Sequence, residues 1–134
     1  MAFVVDCSVA ARWYLPDEAT AYTDRILERL RVEPAHVPAL WISEFANVFL
    51  KLERQRKLAR GLTKTIFQEA RNLMLVADRQ PVDPEALYNL AGKHGLSVYD
   101  ATYLELALRL KTPLATSDGG LARVARRVNL FFNP

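Results

Sequence analysis

Cysteine and histidine are nearly missing from this chain. Cys7 is its only cysteine, and His36 and His94 are its only histidines. A lone thiol can form no internal disulfide and excludes a thiolate zinc site. Two histidines far apart in sequence are thin material for a hydrolase built on a histidine base. Any metal would be held through oxygen, which points to hard cations such as Mg²⁺ or Mn²⁺. Long apolar runs are missing too: none approaches the roughly 18 residues of a membrane span. The N-terminus lacks the basic segment and long apolar core of a secretory signal, so a cytoplasmic location is expected.

What remains is the composition of a soluble globular protein, 51% hydrophobic and 25% charged over 134 residues. That length makes one domain, residues 1–134, with a real core. Short apolar runs alternate with longer helical patterns, which predicts an α/β fold with crossover helices and a parallel sheet. The first strand is Ala2–Val5, ending in Asp6. Ser8–Leu15 reads as a short helix stopped by Pro16, and a second helix covers about 18–31. Prolines at 34 and 38 bracket a brief strand. A strong helical stripe follows over 39–56, formed by Leu40, Trp41, Phe45, Val48, Phe49 and Leu52. Thr63 is the expected N-cap of a helix running to about Ala77. Gln80–Val82 is expected as a short strand, and Asp83-Pro84-Glu85 as a cap and helix start. Further elements are a helix over 97–110, a strand over 113–116, a helix over 119–127 and a terminal edge strand over 128–132.

Four acids stand out from this pattern. Asp6 ends a buried strand, where open α/β sheets place their ligands; the plainer role is a helix N-cap. Glu44 projects from an apolar helical stripe, three residues after Trp41 and four before Val48. A carboxylate facing a core is neutralised, paired or metal-bound, so an arginine partner is its plain alternative. Asp100 shares the inward face of Leu104 and Ala107 in a first helical turn, with a Ser97-x-x-Asp100 capping box as the rival reading. Asp118, in Thr116-Ser117-Asp118-Gly119-Gly120, follows a strand and opens a helix as Asp6 does; an ordinary Asp-Gly turn competes. Together the four point to the carboxyl edge of one sheet. Ionised carboxylates share a small space only when cations separate them, and metal is the economical explanation. Thr116 and Ser117 are placed to support a bound water or to orient Asp118.

Several other folds are excluded by the same residues. A haloacid-dehalogenase-like phosphatase wants a second aspartate two after Asp6, where Ser8 stands. A dinucleotide-binding domain wants G-x-G-x-x-G after the first strand, which is absent. The adjacent early acids and late lysine of a receiver domain do not stand out.

The series Val5-Asp6-Cys7-Ser8, Ser43-Glu44-Phe45-Ala46-Asn47-Val48, Tyr99-Asp100-Ala101 and Thr116-Ser117-Asp118-Gly119-Gly120-Leu121 resembles the PIN-domain family. In size and layout the chain is similar to the VapC-type toxins of toxin–antitoxin pairs, with Cys7 where a small residue such as serine is frequent. The resemblance implies a three-layer α/β/α sandwich around a mostly parallel sheet of four to five short strands. It implies a Mg²⁺- or Mn²⁺-dependent endoribonuclease whose metal site is Asp6, Glu44, Asp100 and Asp118, supported by a hydroxyl at Ser8 or Thr116. Under that reading Asp6 and Asp100 are the core ligands of a first ion, and Glu44 joins directly or through water. Asp118 is left to a second ion or to positioning the nucleophile. The resemblance further implies an RNA substrate, a homodimer and a small antitoxin whose tail covers the acidic groove.

Charge is compatible with a polyanionic partner. The formal net charge of +3 becomes +7 once the four acids are set aside. Arg12 and Trp13 follow Asp6 closely enough to rim a groove, with Trp13 able to stack on a base. Arg54, Arg56, Lys57 and Arg60 cluster after the Glu44 helix, and Arg123, Arg126 and Arg127 lie on the last helix. Leu62, Ile66, Phe67, Leu73 and Leu75 offer apolar surface for dimerisation, with core packing as the plain alternative. The competing function is an inactive PIN-like module that binds RNA or protein.

Overall fold

The computed structural model describes residues 2–134. Its four strands are β1 (Phe3–Val5), β2 (Ala35–Val37), β3 (Leu75–Ala77) and β4 (Leu114–Ala115). All pair in parallel, in the order β3-β2-β1-β4. The register sets Phe3 opposite Ala35, Val4 opposite Leu114 and His36 opposite Val76. Successive strand side chains face opposite sides, and Phe3, Val4 and Val5 are all fully buried. Both faces of β1 are therefore covered, as a parallel sheet requires.

The helices that cover it are α1 (Cys7–Ala10), α2 (Ala21–Leu30), α3 (Leu40–Arg54), α4 (Arg60–Ala70), α5 (Pro84–His94), α6 (Val98–Leu110) and α7 (Gly119–Arg127). α6 packs on β1 and β4 with α5 and α7 beside it, while α1 packs against α2 and α3. Its apolar residues Tyr103, Leu104, Leu106 and Ala107 are completely buried. No helix among the described residues is long and apolar enough to cross a membrane.

The sheet order decides where a site can form. From β1 the chain builds outward through β2 and β3, and β4 then returns to the other side of β1. That reversal opens a crevice at the carboxyl ends of β1 and β4, the place where such sheets bind ligands. Asp6 and Asp118 follow those two strands.

Several expected elements differ. The 8–15 helix is divided into α1 and a 3₁₀ turn over Ala11–Tyr14. The helix expected from Thr63 to Ala77 instead starts at Arg60, is preceded by Ala59, and ends at Ala70; Thr63 is buried within it. Leu75–Ala77 forms β3, because pairing with β2 satisfies its backbone where the local pattern was ambiguous. Residues 80–82 form no strand, leading instead to the Asp83 cap, whose side chain accepts the Ala86 N–H. The terminal edge strand shrinks to a bridge between Leu114 and Phe131, since the chain turns at Asn129 with a φ of 61°.

Candidate active site

Asp6 is 5% exposed. It precedes α1 but makes no side-chain cap bond there. Instead its Oδ2 accepts from Ser8 Oγ and Thr116 Oγ1, each at 2.8 Å. Both hydroxyls also accept from backbone: Ser8 Oγ from the Ser117 N–H and Thr116 Oγ1 from the Asp118 N–H, each at 3.0 Å. A further bond runs from the Asp6 N–H to the Ala115 carbonyl at 2.9 Å. These bonds tie the segment after β1 to the segment after β4. Ser117 contributes its backbone to this network.

Glu44 lies in the second turn of α3, half-buried. The arginine partner considered for it is replaced by Tyr103, whose hydroxyl donates to Glu44 Oε1. Asp100 occupies the first turn of α6, where Ser97 Oγ accepts its N–H at 3.0 Å. Asp118 does cap its helix, with Oδ2 accepting from the Leu121 N–H at 2.8 Å, and it is the most exposed of the four. All four acids line one cleft of about 400 Å³, together with Cys7, Ser8, Arg12, Glu18 and Asn47.

The electrostatics follow from that crowding. Five acids, counting Glu18, face a cleft to which Arg12 brings the single cationic side chain among the lining residues. Burial pushes the Asp6 carboxyl above its ordinary value; Thr116 and Ser8 oppose the rise and the charge of Glu44 adds to it. Glu44 is raised by burial, against the Tyr103 hydrogen bond, with a further push from Asp100. Asp100 is raised by burial, then by the charges of Asp118 and Asp6, with Ser97 opposing. The Cys7 thiol is pushed up to about 12 by burial and by the charges of Asp6 and Glu44. It stays protonated and is no nucleophile.

A hard divalent cation fits this donor set: carboxylate oxygens with hydroxyls behind them, mutually repelling and short of compensating charge. Among the described residues, no three acidic, imidazole or thiol groups stand close enough together, as placed, to hold a metal ion between them. A cation here would keep water in part of its coordination shell, as Mg²⁺ ordinarily does.

The remaining expected residues divide. Arg12 lines the cleft. Trp13 does not; its indole N–H donates to the Thr23 carbonyl at 2.8 Å, and its ring packs against the core. Arg54 is ten residues beyond Glu44 on α3, roughly 15 Å along the axis. None of Arg54, Arg56, Lys57, Arg60, Arg123, Arg126 and Arg127 lines the cleft, and Arg126 stacks over Phe131 at 4.1 Å. Of the five residues expected to supply dimer surface, Ile66 is buried, Phe67, Leu73 and Leu75 pack on the core while also lining an open apolar concavity, and Leu62 is 49% exposed. Tyr103, Asn47 and Glu18 were not anticipated. Tyr103 follows Asp100 by three residues, and Asn47 follows Glu44 by three, which is the helical spacing that could have flagged both.

The PIN domain family model matches residues 3–127. The chain belongs to the PIN domain family. A relative, Ribonuclease VapC3 from Pyrobaculum aerophilum, is 31% identical over 125 residues, covering 91% of this chain and 93% of that protein. That likeness over nearly the whole length makes this a PIN-domain protein of VapC type. The crystal structure of PAE2754 from Pyrobaculum aerophilum is similar in fold, with a TM-score of 0.68, 19% identity and 96% of each chain covered.

Proposed function

We propose that this protein is a Mg²⁺- or Mn²⁺-dependent endoribonuclease, the cytoplasmic toxin of a toxin–antitoxin pair. One observation carries the reading: four carboxylates, two in the segments after β1 and β4 and two on α3 and α6, line one cleft at the reversal point of the sheet. The ribonuclease named above, similar over nearly the full length, supports the choice of RNA as substrate.

Asp6, Asp100 and Glu44 would hold the cation, with Asp118 at the more open side. Bound there, Mg²⁺ or Mn²⁺ supplies charge neutralisation at the phosphodiester and lowers the pKa of a coordinated water. The chain's own work is placement. Ser8 and Thr116 fix one oxygen of Asp6, Ser97 anchors the turn that carries Asp100, and Arg12 offers the cleft's cation to a phosphate. The surface outside the cleft, formally +7 once the four acids are removed from the net +3, favours a polyanion through counterion release. The antitoxin is proposed to close the acidic cleft, and the toxin to act as a homodimer.

The test is cleavage of total cellular RNA with Mg²⁺ or Mn²⁺, with EDTA, and with Asp100→Asn protein. Discrete, metal-dependent fragments are expected, reduced by about 10²-fold or more in the variant, the scale of losing one transition-state contact. No cleavage in any lane, together with no heat of Mn²⁺ binding, would replace the enzyme by a binding module.

A further inference from the structure

Glu44 reaches the cleft on half-buried α3, and the hydrogen bond that anchors its side chain comes from a helix distant in sequence. The Tyr103 hydroxyl of α6 donates to Oε1 across a separation of 59 residues. Tyr103 is completely buried. A buried phenol needs a hydrogen-bond partner, and an ionised carboxylate is acceptor only, so the two groups satisfy one another. Residues three apart share a helix face. One face of α6 thus presents Asp100 to the cleft and, a turn later, the hydroxyl that grips the acid of α3.

We infer that Tyr103 is the positioning residue for Glu44: its hydroxyl engages Oε1 and leaves Oε2 for a divalent cation in the cleft. This rests on the metal-dependent reading above. The competing role for Tyr103 is core filling, in which the ring matters and the hydroxyl only avoids being left without a partner. Partners behind metal ligands are worth about 10- to 100-fold in affinity or activity, which separates the two roles.

Tyr103→Phe keeps the buried ring and removes the donor. Calorimetric titration with Mn²⁺ is expected to show affinity reduced by about 10-fold or more. In a Glu44→Gln background the same substitution should weaken Mn²⁺ binding no further, because the hydroxyl acts through that carboxylate. Wild-type Mn²⁺ affinity in Tyr103→Phe, or an equal loss in both backgrounds, would overturn the inference. A second measurement serves if Tyr103→Phe does not fold. In fluorotyrosine-labelled wild-type protein, the fluorine resonance that Glu44→Gln displaces should also move on addition of Mg²⁺. That resonance unmoved at saturating Mg²⁺ would overturn the inference as well. Wild-type protein that binds neither ion would instead bring down the metal-dependent reading, and this assignment with it.

Discussion

Asp100 shows what a crowded carboxylate costs the fold. Burial first, then the charges of Asp118 and Asp6, raise its pKa above the ordinary 3.8. A carboxyl whose folded pKa exceeds its unfolded one binds more protons in the native state. Unfolding free energy therefore falls as pH rises from about 3.8 through the raised value, and stays lower above it. Without a cation, Asp100→Asn is expected to stabilise the protein at pH 7 by about 0.5–2 kcal/mol, the usual gain from relieving a destabilised site. The gain should shrink from pH 7 to pH 4, as pH falls toward and through the raised value and wild-type Asp100 takes up its proton. With Mg²⁺ the order should reverse, since ligand binding to the native state stabilises it and the variant has lost a ligand. Urea melts in EDTA and in Mg²⁺ at both pH values check all three parts. An Asp100→Asn protein no more stable than wild type in EDTA would show that the acid is not strained. The same residues show what a sequence can reveal. Asp6, Glu44 and Asp100 were legible because a carboxylate on an apolar face or strand end contradicts its surroundings. Tyr103 was not, because an aromatic in an apolar stripe is consistent with core packing, and its hydroxyl contact is tertiary. Trp13 read as a cleft residue from proximity to Asp6, yet the 3₁₀ turn over 11–14 sends its ring to α2.

Helix ends give the same lesson for elements. α5 stops at Gly95, with φ of 66°, and α6 at Lys111, with φ of 53°. Both residues are left-handed, a conformation that costs a side-chain-bearing residue about 1–2 kcal/mol and glycine nothing. Lys111 is exposed, so its side chain contributes little in return. Lys111→Gly is expected to stabilise the protein by about 1 kcal/mol, and Gly95→Ala to destabilise it by a similar amount, both read as shifts in denaturation midpoint at constant slope. A Lys111→Gly midpoint at or below wild type would mean the lysine makes a compensating interaction. Such ends were readable where a glycine or a proline marks them, as at Gly95 and at the Asp83-Pro84 start of α5. They were not readable at β3. The run Leu73-Met74-Leu75-Val76-Ala77 has no period that separates strand from helix, and the pairing of Ala35 with Leu75 and Val37 with Ala77 settles it.

At the scale of the whole molecule, the alternation of elements was enough to indicate a parallel sheet, but strand order was not in the pattern. That order puts the reversal at β1 and β4 and so brings the ends of the chain's first and last strands to one cleft. Association of two copies is a separate question, and the surface that bears on it includes three of the residues expected to supply it, Phe67, Leu73 and Leu75. A second concavity, of about 380 Å³, is lined by apolar side chains of α3, α4 and the sheet, among them Trp41, Phe45, Phe67 and Leu75. Ile42 lines it too and is 59% exposed. Such a surface is the kind that association covers, since single exposed apolar residues are ordinary but a continuous apolar hollow is less so. Light scattering during size exclusion at micromolar concentration should give twice the 15.2 kDa of one chain. Ile42→Glu, which places a charge at the mouth of the hollow, should give the monomer while leaving the fold stable, since substitutions at exposed positions usually shift stability by no more than about 0.5 kcal/mol. A dimer that survives Ile42→Glu would move the interface to another face. A wild-type chain that elutes as a clean monomer would remove the homodimer, and the acidic cleft would then have to meet its substrate from a single subunit.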